Sequence, residues 1–242
     1  MKTLVITTDE RFARALGTVA KNLMRMFSRD GAIKISNKCE NDRHSLTVKI
    51  SNQKSERMAI GAMNNFLAKV ITTELKSHYI QTNMTLIIPD EVNRHAFVRA
   101  LCSFDKETDL LIAKSLIVIT PMFAFDAFYD FCITPLKNRW REVTMLANEN
   151  KGYLVCPRTF SELLRYLISN IDPLCDEAHV RGGEILLRDQ CIPLEDLACS
   201  QDARIVSRLI DLAPRRIFIH SDCEAGLANR IHNLFGKNVV FA

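Results

Sequence analysis

Residues 160–171 carry an apolar stripe that leaves this stretch little choice of local structure. Phe160, Leu163, Leu164, Leu167, Ile168 and Ile171 recur at intervals of three and four. That spacing puts them on one face of a helix, and such a face needs a packed layer to cover it. Thr159-Phe160-Ser161-Glu162 has the spacing of a capping box, and Asp172-Pro173 ends the helix. Two further stripes come before it: Phe125, Phe128, Tyr129 and Cys132 behind Thr120-Pro121, and Leu136, Trp140, Val143 and Ala147 behind Thr134-Pro135. Thr-Pro suits a helix start, because threonine can cap and proline lacks only an N–H that would go unpaired. The aromatic residues of this stretch read as core.

Both flanks change character. At the front, Thr3–Thr7 reads as a strand and Arg11 to Phe27 as a helix. A strand at Ala32–Ser36, a polar turn over Asn37–His44 and an alternating strand at 46–50 follow. The turn Thr7-Thr8-Asp9-Glu10 has no glycine and two acids, which excludes a dinucleotide fingerprint there. Helices are predicted from Ser55 or Glu56 to about Tyr79, from Asp90, and over Asp105–Ile119. After Pro173 come a hairpin around Gly182-Gly183, a helix capped by Ser200, a strand at 216–220, a helix capped by Asp222 and a last strand at 239–241. The fold class is therefore mixed α/β: an N-terminal β-α-β-β unit (1–54), a large helical region (55–173), and a C-terminal β-hairpin plus α-β-α-β unit (174–242). The three form either separate parts or one compact domain.

No run of about 18 apolar residues is present, so no spanning helix is expected. Asp9-Glu10-Arg11 cuts off the short apolar start, and a cytoplasmic location is expected. The eight cysteines show no Cys-x-x-Cys pair, so they read as buried reduced thiols, with neither metal nor other cofactor. Asp105, Glu107 and Asp109 read as first-turn acids that offset a helix dipole. The net charge of +4 is uneven: residues 1–80 carry net +7, while 81–150 carry −2 and 151–242 carry −1. A basic N-terminal third is open to nucleic acid or to an acidic partner.

Several phrases resemble the YtxC-like sporulation protein family. They are Phe128-Tyr129-Asp130-Phe131 ahead of Leu136-Lys137, then Ala147-Asn148-Glu149, and then Phe160 to Leu167. Leu209-Ile210-Asp211-Leu212-Ala213-Pro214-Arg215-Arg216-Ile217-Phe218-Ile219-His220 is similar to the family's C-terminal signature, followed by a helix ending Ile231-His232-Asn233-Leu234-Phe235. The similarity covers roughly residues 60–242. It departs at Phe131-Cys132-Ile133-Thr134-Pro135-Leu136-Lys137, where the family phrase is Phe-Arg-Leu-Lys. The resemblance implies a role in sporulation and supplies no activity and no catalytic residues.

Two places hold chemistry worth locating. Arg204 and Arg208 lie one helical turn apart, with Arg215 and Arg216 shortly after; together they can grip a phosphate or an acidic partner, unless Asp202 and Asp211 neutralise them. His220-Ser221-Asp222-Cys223 sits where a strand hands over to a helix, a position that can activate a nucleophile. Neighbouring residues rarely point at one another, so a triad within four positions is geometrically poor, and no catalytic residue is expected. The expected function is non-enzymatic protein–protein interaction through residues such as Arg204, Arg208, Arg215, Arg216 and His220. The alternative is nucleic-acid binding by the basic third.

Overall fold

The computed structural model describes residues 2–194 and 199–242, and of Tyr153 the backbone alone. In chain order the elements are β1 (Lys2–Thr8), α1 (Ala13–Met26), β2 (Ile33–Glu40), β3 (Arg43–Ile50), α2 (Gln53–Val70), α3 (Lys76–Asn83), α4 (Glu91–Phe104) and α5 (Lys106–Leu116). Then come β4 (Met122–Ala124), α6 (Phe125–Phe131), α7 (Thr134–Glu149), α8 (Lys151–Leu154), α9 (Pro157–Ser169), β5 (Cys175–Arg181), β6 (Glu184–Leu187) and β7 (Gln190–Ile192). The chain closes with α10 (Gln201–Leu212), β8 (Pro214–Ile219), α11 (Ala225–Phe235) and β9 (Val239–Phe241). This is a mixed α/β fold. Its strands form two sheets, and the chain divides into two compact units: Met1–Thr82 with Lys106–Glu142, and Asn83–Asp105 with Val143–Ala242. The helices read as one middle region are thus shared between the units.

The first unit carries the sheet β2-β3-β1-β4, antiparallel except for β4, which runs parallel to β1. Leu4 and Ile6 alternate inward on β1, and Leu46, Val48 and Ile50 do so on β3. They meet Leu16, Val19 and Leu23 of α1 in one core. Thr120-Pro121 leads into a strand and not into the expected helix: the Val5 amide donates to the Pro121 carbonyl (2.8 Å), so the chain is committed to sheet pairing before α6 begins. The polar stretch 37–44 is not a broad turn either. β2 and β3 run through it and reverse at Asn41-Asp42, whose φ angles of 49° and 59° are the left-handed pair that a two-residue hairpin turn needs. The helix placed from Ser55 or Glu56 starts earlier, because Asn52 caps α2 by accepting from the Ser55 amide.

A buried charge cluster ties three helices of this unit together. Asp109 on α5 is 1% exposed. It accepts from Lys76 Nζ of α3 (2.7 Å), and from Arg139 Nε and Trp140 Nε1 of α7 (3.0 Å each). A single π-helical turn, Ile71–Leu75, precedes Lys76. Asp109 is thus a first-turn acid of α5, as read from the sequence, and an internal anchor besides.

The second unit carries the sheet β7-β6-β5-β8-β9, in which β5, β8 and β9 are parallel and β6 and β7 antiparallel. The hairpin turn Gly182-Gly183 has φ of 52° and 82°. That left-handed backbone is what favours glycine at both positions; a Cβ at Gly183 would meet only the movable end of the Gln201 side chain. The proposed capping box on α9 does not form. Pro157 takes the first helical position with Cys156 as N-cap, which leaves Thr159 inside the first turn. Asp222 does not cap α11; the N-cap is Glu224, and no side chain closes a bond there.

Asp90 caps α4 by accepting from the Asn93 amide, and Arg230 reaches it at 2.9 Å. Burial works against the Asp90 carboxylate, but Arg230 and the Asn93 amide outweigh it and hold Asp90 below the ordinary aspartate value. A carboxyl depressed on folding adds stability above its unfolded value and loses it as pH falls through the folded value. The second unit is accordingly expected to weaken as pH drops below about 4. In urea midpoints measured from pH 6 down to pH 3, Arg230→Met should flatten that dependence. An unchanged slope would remove Arg230 as its cause.

Candidate functional site

Strand alternation gives the second sheet two unlike faces. Ala178 and Val180 of β5, Ile185 of β6, and Ile217 and Ile219 of β8 are buried. They pack in one cluster with Phe97 of α4, Leu164 of α9, Val206 of α10 and Ile231 of α11. The residues between them point the other way. Glu177, Arg181, Glu184 and Arg216 are exposed, and His179, Leu186, Phe218 and His220 are half-buried. The register sets Glu177 beside Arg216, and His179 between Phe218 and Leu186. Val240 on β9 pairs with Phe218 and is 39% exposed. One face is a core. The other is a platform.

The platform is internally ordered. The His179 ring stacks on Phe218 with centroids 4.9 Å apart and planes 14° from parallel. The Arg216 guanidinium lies 5.9 Å from the Phe218 centroid and bonds Glu177 at 2.5 Å. Arg181 Nη2 stands 3.2 Å from His220 Nδ1. A guanidinium only donates, so Nδ1 accepts and the proton of the neutral imidazole sits on Nε2. That N–H donates to His179 Nδ1, 3.0 Å away. A one-way chain of donors therefore holds both rings in fixed orientation. A groove of about 1070 Å³ runs along this face, past Leu174, Cys175, His179 and Arg216 to the turn Leu187–Gln190.

No family model, no curated protein and no solved structure matches this chain.

In the turn after β8, His220 and Cys223 are directed to different partners. The His220 ring faces His179 and Arg181, whereas Cys223 Sγ donates to the Glu224 carbonyl at 3.8 Å. Burial, and then Asp222, Asp202 and Glu224, push the Cys223 thiol above its ordinary value. Among the described residues no group of three or more metal-ligating side chains converges. The thiols are not uniformly buried as the sequence suggested: Cys39, Cys132, Cys156 and Cys191 are exposed and Cys102 is buried. Cys156 stands apart. No side chain closes a cap bond there, yet the amide and hydroxyl of Thr159 and the amide of Arg158 favour its thiolate and lower its pKa. With a maleimide at neutral pH, Cys156 should label several-fold faster than Cys191 or Cys223, both raised by burial. Peptide mapping after a short pulse decides this, and equal labelling of the three would contradict it.

The residues singled out from sequence do not form one patch. Arg204 and Arg208 lie on α10, which packs on the covered face of the sheet. Arg215 and Arg216 lie on β8, near Asp176 (3.8 Å) and Glu177 (2.5 Å) respectively. His220 follows β8 and joins the platform. His179, Arg181 and Phe218 were missed, although Glu177-Ala178-His179-Val180-Arg181 and Arg216-Ile217-Phe218-Ile219-His220 show the period-two pattern that pairs a wet face with a dry one. In the basic N-terminal third, Lys2 pairs with Glu56, Arg11 with Asp9 and Asp130, and Arg43 with Asp126. Those pairings offset part of its excess charge. Among the described residues, no helix is long and apolar enough to cross a membrane.

Proposed function

We propose that the protein is a non-enzymatic, cytoplasmic binding protein that engages a protein partner through the platform of its second sheet. The observation that carries this reading is Phe218, an aromatic side chain in the middle of an uncovered sheet face, flanked by ordered histidines and by Arg216. Aromatic and arginine side chains at the centre of a patch are what protein interfaces concentrate. The charge of the platform favours a protein over a polyanion. Arg181 and Arg216 are balanced by Glu177 and Glu184, whereas nucleic-acid binding draws on a net positive surface. The process we propose is sporulation, which rests on the resemblance of residues 60–242 to the YtxC-like family.

The test is recovery of the tagged full-length protein from sporulating cells, with and without nuclease, beside the Phe218→Ala/Arg216→Ala variant. A nuclease-resistant partner that is lost with the variant supports the reading. Material lost on nuclease treatment, or a partner retained equally by the variant, contradicts it.

A further inference from the structure

A second place on the same unit, independent of the platform, holds buried polar atoms that the fold leaves unpaired. Arg204 and Arg208 are one turn apart on α10, on the same side of the helix. The carboxylates that sequence would pair with them are used elsewhere: Asp202 lies 3.7 Å from Arg230 Nε, and Asp211 lies 3.5 Å from Arg99 Nη1 on α4. The Nε of Arg204 and the Nε of Arg208 are shielded from solvent without a hydrogen-bond partner. So is Oγ of Ser207, a residue 2% exposed and less than a turn from both. Three unpaired polar groups fall within five residues of one helix. Buried donors without acceptors are costly, and two like charges a turn apart add to that cost. An acceptor-rich anion would relieve both.

The surroundings fit an anion. α4 and α10 run side by side in the same direction, tied at one end by the Ser200 amide donating to Glu91 (3.1 Å) and at the other by Arg99 and Asp211. Arg99, itself 5% exposed, is already held by Asp211 and stays outside the site. We propose that Arg204, Ser207 and Arg208 form a binding site for a phosphate monoester. Two guanidinium forks and a hydroxyl offer more donors than the two oxygens of a carboxylate can use, and the three terminal oxygens of a phosphate match them.

The test titrates the full chain with inorganic phosphate, followed by ³¹P NMR and calorimetry at ionic strength matched with chloride. The wild type should bind. Arg204→Gln/Arg208→Gln should weaken binding by about tenfold or more, and Arg204→Lys/Arg208→Lys should fall between, because lysine keeps the charge and loses the fork. Arg215→Gln/Arg216→Gln should bind as the wild type does. If the glutamine pair fails to fold, the lysine pair decides. No binding beyond the chloride control means that solvent alone satisfies these groups, and it overturns the proposal; so does equal affinity in the lysine or glutamine pair. A phosphoserine peptide that binds more than about tenfold tighter than inorganic phosphate places the phosphate on a protein, and equal affinity places it on a small molecule. Either result supports the site.

Discussion

Asp109→Ala should lower the stability of the first unit by about 3–5 kcal/mol. The carboxylate accepts from three donors at once, and Lys76, its closest partner, is only 1% exposed. Removing the acid takes the carboxylate 2.7 Å from a buried ammonium away, and that loss of close countercharge, more than the lost hydrogen bonds, sets the size of the effect. Asp109→Asn should recover little, since an amide oxygen can accept from Trp140 but cannot balance a cation. The chain has a single tryptophan, and Trp140 belongs to the cluster, so its fluorescence in urea reports the first unit directly. The chain divides into two compact units, so the fit is assigned to the transition that Trp140 reports and not to the whole chain. A loss below about 1 kcal/mol would mean that water reaches Lys76 readily and that the cluster is not an anchor.

Ile217→Ala should cost the second unit about 2–5 kcal/mol, and Phe218→Ala only about 1 kcal/mol, although phenylalanine is the larger side chain. The two residues are neighbours on β8 with the same backbone pairing, so the comparison isolates the face each one occupies. Ile217 is fully buried in the core, and its truncation leaves a cavity. Phe218 is half-buried on the open face, and its truncation loses the stacking on His179 and the contact with the Arg216 guanidinium but leaves no enclosed cavity. Hydrogen exchange of the β5 and β8 amides measures both. Equal losses would show that the platform is part of a core, and the proposed binding surface would lose its basis.

Much of the fold was legible because its signals are local. The β-α-β-β start, the Gly182-Gly183 hairpin and the Ser200 cap each need only neighbouring residues to agree. The errors came where distant pairing outweighed a local signal. Thr120-Pro121 looks like a helix start but is drawn into a strand by β1, more than a hundred residues earlier. Thr159 has the spacing of a cap, but Pro157 opens the helix first. The site was read only in part for the same reason. His220 was noticed for its place at a strand end, whereas its meaning depends on His179 and Arg181 from a strand forty residues away. Asp202 and Asp211 looked like partners for Arg204 and Arg208 because they are near in sequence. Arg230 and Arg99, on other helices, take them instead.

The most direct measurement places a photo-crosslinking side chain at position 218 or 240 of the full-length protein in sporulating cells. Positions 38 and 158, both exposed and off the platform, serve as controls. A discrete protein adduct from 218 and 240 and none from 38 and 158 is the predicted result. Adducts equal at all four positions, or none from the platform, would contradict a protein-binding role for the open face of the second sheet.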